Sequence, residues 1–149
     1  HYFRSKRGLY LEVVEEAVRI PAGAQLLPEG TTGDLADVLR RSVDQWLRLI
    51  EAAGGLWVGG ATAAGLEEGD VGEVLDRARD DLVELMLAQL PIPEQLDREH
   101  LRAALRSYAA FARAVSDEWL VRGSLDREAT ATLLHGTLLA LIEDVVPAM

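Results

Sequence analysis

DREATATLLHGTLLALIEDVV (residues 126–146) is the stretch on which the fold turns. At helical spacing, Leu133, Leu134, Leu138, Leu139, Leu141, Ile142, Val145 and Val146 surround most of one helix. Ala129, Gly136, Thr137 and Ala140 add a strip of small residues. A helix that is apolar nearly all round must be covered nearly all round. As the last helix of a chain of 149 residues it has few neighbours of its own, so a second copy of the chain is expected to cover part of it. The helix before it carries a stripe of its own, Leu101, Ala104, Leu105, Tyr108, Phe111, Ala112, Val115 and Trp119, closed by Gly123. Two consecutive long helices per chain predict a four-helix interface of a symmetric dimer, with Leu133, Leu134, Gly136, Thr137, Ala140 and Leu141 at the seam. The competing expectation is a helix central to its own monomer.

Working backwards, Val71, Val74, Leu75, Ala78, Leu82, Leu85, Met86 and Leu90 recur at three and four, which predicts a helix over about 70–90. PIPEQLD separates it from its successor. Thr31 and Asp34 resemble a capping pair ahead of Leu35, Val38, Leu39, Trp46, Leu49 and Ile50, a second long helix ending at Gly54 and Gly55. Six glycines in GGLWVGGATAAGLEEGD (54–70) leave at most a short, imperfect helix there. IPAGAQLLPEGTTG (20–33) reads as a loop, and before it Leu9, Tyr10, Val13, Val14, Ala17 and Val18 predict a helix over about 5–19, capped by Ser5 and ended by Pro21. The expectation is an all-α single domain.

Composition agrees: the chain is 49% hydrophobic but only 5% aromatic, with abundant Ala and Leu. With no cysteine, neither disulfides nor thiolate metal sites contribute. No uninterrupted apolar run approaches the roughly 20 residues of a membrane span, so a cytoplasmic protein without a membrane partner is expected. The net charge is −10, yet Arg4, Lys6 and Arg7 sit in the first seven residues with no acid, leaving 12 basic against 25 acidic residues in the remainder. An acidic body repels nucleic acid, so phosphate contact is confined to the opening residues.

That opening, HYFRSKRGLYLEVV (1–14), resembles the junction that ends the DNA-binding domain of TetR-family transcriptional regulators: an aromatic pair, Ser-Lys, then an apolar helix start. The resemblance implies that Phe3 packs into a helix-turn-helix core, Ser5 caps the next helix, and Tyr2 and Lys6 contact the DNA backbone. A Lys at a helix N-terminus adds its charge to amide donors that already favour anions. Gly8 departs from the family pattern and costs roughly 1 kcal/mol of helix propensity relative to Ala. Residues 101–147 resemble, more weakly, the family's final helix pair, its dimerisation bundle. Residues 1–7 are therefore expected to end a helix-turn-helix domain. Residues 8–149 are expected to form the ligand-binding and dimerisation domain, with a linker helix over about 5–19.

Expected pocket residues are Gln45, Trp46, Leu49, Trp57, Thr62, Leu82, Met86, Tyr108 and Phe111, with Gln89 a further polar candidate. Each is also an ordinary core or surface residue on spacing alone. His1, His100 and His135 show no metal-ligand spacing. Asp76, Asp80 and Glu84 share a helix face that could take a divalent cation or, more commonly, face water. No nucleophile, phosphate loop or zinc signature is present, so no enzymatic activity, metal or cofactor is expected. The resemblance implies a homodimeric, DNA-binding regulator, usually a repressor, that releases double-stranded operator DNA when a small, mostly apolar effector binds. The alternative is a helical small-molecule binding or carrier protein without a DNA role.

Overall fold

The computed structural model describes residues 6–19, 24–53 and 68–149. Among these the chain is all-α, with helices α1 (Lys6–Val18), α2 (Leu35–Ala53), α3 (Glu68–Gln89), α4 (Arg98–Leu120) and α5 (Arg127–Ala140) and no strand. Tyr2, Phe3, Ser5, Trp57 and Thr62 lie outside the described residues.

Helix boundaries follow local chemistry. Asp97 caps α4 by accepting from the His100 amide (2.9 Å), and Asp126 caps α5 by accepting from the Ala129 amide (2.7 Å). Between them, the Val121 and Arg122 amides both donate to the Asp117 carbonyl, and Gly123 takes the left-handed conformation (φ 66°) that reverses the chain. The last helix does not run unbroken to Val146. It widens into a π turn over Leu141–Val145 and tightens into a 3-10 turn over Val146–Ala148. Pro147 accounts for the change, because in an α-helix its ring would collide with the Glu143 carbonyl.

The main core joins α2, α3, α4 and α5. Leu39, Leu47, Leu101, Leu105, Leu134, Leu138 and Ile142 are at most 1% exposed. Helix α2 packs on α5, α3 on α4, and α4 on α5. Arg127 adds an ionic clasp at the start of α5, reaching Asp44 (2.9 Å) and Glu51 (3.7 Å) on α2. Two turns further along, His135 Nε2 donates to the Ala36 carbonyl at 2.8 Å.

Helix α1 stands apart from this core. It packs on α3 through a small separate cluster in which Val14 meets Val74, flanked by Leu75 and Ala78. The apolar stripe expected along α1 is not buried as a whole, since Leu9 and Val13 are 41% and 45% exposed. A single neighbouring helix covers only one side of a cylinder.

The last helix divides its apolar surface. Leu134, Leu138, Ile142 and Val146 enter the chain's own core, whereas Leu133 is 41% exposed, Val145 and Gly136 are exposed, and Thr137, Ala140 and Leu141 are half-buried. Leu134, expected at a dimer seam, is thus an internal residue at 1% exposure. Over Arg127–Ala148 an 18-residue window has mean hydropathy 1.4, sufficient by length and composition for a membrane span, and only 28% of it is buried. No uninterrupted apolar run marks this window, because Thr and Gly punctuate the leucines. The same length and composition also occur in a helix that packs in a protein core.

Candidate functional site

Where α2, α3, α4 and α5 converge, packing leaves a cavity of about 30 Å³ lined by Leu26, Ser42, Val43, Trp46, Leu82, Met86, Tyr108, Ala112 and Leu138. Its walls follow from helix periodicity. Ser42, Val43 and Trp46 share a face of α2, Leu82 and Met86 are one turn apart on α3, and Tyr108 and Ala112 are one turn apart on α4. The cavity has room for about two water molecules. Its lining contains no charged side chain.

Three polar groups define the site. The Tyr108 hydroxyl donates to the Leu134 carbonyl at 2.9 Å, tying α4 to α5, and burial pushes its pKa well above the ordinary phenol range. Tyr108 is therefore a neutral wall of the cavity at any physiological pH. Gln89, at the end of α3, accepts from the Leu26 amide and donates to the Ala24 carbonyl, both at 2.8 Å. This two-point clasp holds the segment before α2 against α3, with Leu26 buried in the cavity wall. Ser42, the third polar group, is buried in the wall that α2 supplies.

Of the residues expected to line a pocket, Trp46, Leu82, Met86 and Tyr108 meet at this cavity. Gln45 is half-buried outside the lining. Phe111 packs on the core with its ring centroid 6.2 Å from that of Tyr108, without reaching the cavity. Leu49 is 48% exposed and takes no part, because the buried face of α2 runs through Val43, Leu47 and Ile50. Ser42 and Leu26 were not anticipated. Their signal is faint in the sequence: one serine within an apolar face, and one leucine in a Pro/Gly-rich loop.

The acidic face of α3 is engaged by α4. Asp80 pairs with Arg106 (3.0 Å) and Glu84 with Arg102 (2.9 Å), forming a two-rung ladder between the helices. The Arg102 hydrogen bond holds the Glu84 carboxyl below its ordinary value. Asp76 pairs with Arg79 on its own helix at 2.7 Å. Among the described residues no three His, Cys, Asp or Glu side chains gather as a metal site would require. Lys6, at the start of α1, is exposed to solvent.

Comparison with protein-family models, curated proteins and solved structures finds no match for this chain.

Proposed function

We propose that the chain is the effector-binding and self-associating domain of a TetR-type transcriptional regulator, a cytoplasmic homodimer that represses by holding operator DNA and lets go when a small, mostly apolar molecule occupies the cavity. The observation that carries this reading is the double duty of α3. Its first half holds α1 through Val74 against Val14, and its second half lines the cavity with Leu82 and Met86.

A guest that shifts Met86 shifts α3, and α3 is the surface on which α1 rests. Helix α1 begins at Lys6 in an opening stretch that holds Arg4, Lys6 and Arg7 and no acid, where backbone phosphates would be met. In a dimer, movement of two such helices alters the separation of two DNA readers, which must match half-sites about 34 Å apart. Effector and DNA then favour different conformations, and each lowers the affinity of the other by the same factor. The exposed side of α5, with Leu133 and Gly136, is the proposed seam between copies.

The test is selection from a random duplex pool by the full-length protein, followed by a salt titration. Enrichment of a two-fold symmetric site whose affinity falls steeply with salt is expected. Enrichment no better than background favours the carrier reading instead.

A further inference from the structure

The cavity has a polar feature that its own fold does not use. Among the described residues, three Ser and Thr side chains are buried: Ser42, Ser116 and Thr130. Ser116 donates to the carbonyl four residues back, at Ala112 (2.7 Å), and Thr130 does the same to Asp126 (2.7 Å). Even the exposed Ser107 bonds back to Ala103. Ser42, in the middle of α2 and 6% exposed, makes no such bond and has no other hydrogen-bond partner among the described residues. Its side chain lines the cavity. The Ser42 hydroxyl is not sealed from solvent; it lies at the cavity with the usual helical remedy untaken, and so is available to whatever fills the cavity. The other hydroxyl in the lining, that of Tyr108, is spent as a donor on the Leu134 carbonyl.

We propose that the cavity receives a small uncharged molecule, an aromatic or similarly compact apolar body with one neutral hydrogen-bonding group, and that Ser42 is the residue that binds that group. This rests on reading the cavity as the effector site and adds the chemical class of the effector. A charged ligand is disfavoured because no side chain in the lining carries a compensating charge, and an ion moved there would lose its hydration unpaired. A cavity of about 30 Å³ is smaller than any aromatic ring, so the guest must displace a wall. Two wall residues suit displacement: Met86, an unbranched thioether that repacks readily, and Leu26, which lies outside any helix and is held over the cavity by the Gln89 clasp.

The experiment uses this chain alone with three probes, benzene, phenol and benzoate, measured by calorimetry or by protein-observed NMR on wild type, Ser42→Ala and Leu26→Ala. Phenol is expected to bind saturably and benzoate not at all. The ratio of phenol to benzene affinity is expected to fall about five- to tenfold in Ser42→Ala, the scale of one neutral hydrogen bond, with benzene itself unaffected. Leu26→Ala opens the wall and should tighten both neutral probes while preserving their ratio, which keeps the test decisive if wild-type binding is weak. An unchanged ratio in Ser42→Ala, benzoate binding as well as phenol, or no saturable binding of either neutral probe to both wild type and Leu26→Ala would overturn the proposal. Because no DNA enters this measurement, a positive result beside failed operator selection removes the regulator and leaves the site. The reverse pattern removes the site and leaves the regulator.

Discussion

Tyr108 couples the cavity to the last helix through one hydroxyl, and its replacement isolates that coupling. Tyr108→Phe keeps the ring in the wall but leaves the Leu134 carbonyl without this donor, so a loss of about 1 kcal/mol in urea-determined stability is expected. No loss would mean that the bond contributes nothing net. Asp117 supplies a prediction of opposite sign. Its Oδ1 is buried without a hydrogen-bond partner, and desolvation raises its pKa in spite of Arg113 and Arg122 nearby. The folded chain therefore binds this proton more tightly than the unfolded chain. The contribution to stability decreases as pH rises from 3.8 through the raised value, and the penalty is complete at neutral pH. Asp117→Asn should raise the melting midpoint at pH 7 and remove that part of the pH dependence; a lower midpoint at pH 7 would show that attraction to the arginines outweighs burial. Neither effect was legible in the sequence. The partner of Tyr108 is a backbone carbonyl 26 residues away, and the burial of Asp117 depends on what packs over it.

At the scale of the helices, the ends were legible and the faces only partly so. Asp97, Asp126 and Gly123 act within one turn of their own positions, so their roles can be read from neighbours in the chain. Choosing between Leu133 and Leu134, or between Leu47 and Leu49, is another matter. Where apolar residues stand one or two positions apart, periodicity does not fix which one points inward, and the packing of α2 against α5 decides it. The ladder between α3 and α4 shows the same limit. The spacing of Asp76, Asp80 and Glu84 marked a charged face, but only the antiparallel approach of α4 brings Arg106 and Arg102 to the last two. Both pairs are substantially exposed, so Asp80→Arg is expected to cost less than about 1 kcal/mol, with recovery in the double variant Asp80→Arg/Arg106→Asp. The single-variant deficit should shrink in about 1 M salt. A deficit that salt does not change would assign the effect to packing.

For the whole molecule, the unanswered surface is the outer side of α5. A Cβ added at Gly136 meets nothing within 4 Å, so Gly136→Arg is sterically free within one chain and improves helix propensity by somewhat under 1 kcal/mol. Its effect on association thus reports on a second copy. Light scattering should show wild type as a dimer and Gly136→Arg as a folded monomer, whereas an unaltered dimer would place the seam elsewhere. The all-α architecture was legible from composition and spacing. The cavity was legible only in part, because Trp46, Leu82, Met86 and Tyr108 stand out by size and periodicity while Ser42 is inconspicuous until its missing hydrogen bond is seen.

The claim at the centre of this account is that the cavity and the basic end of α1 are linked through α3. The most direct measurement is the affinity of the full-length protein for its selected duplex, followed by fluorescence anisotropy at constant salt, without phenol and at saturating phenol. The account predicts that phenol raises the dissociation constant for DNA, and that Ser42→Ala shifts this response to higher phenol concentrations. A dissociation constant indifferent to phenol, with calorimetry showing the cavity filled, would contradict it.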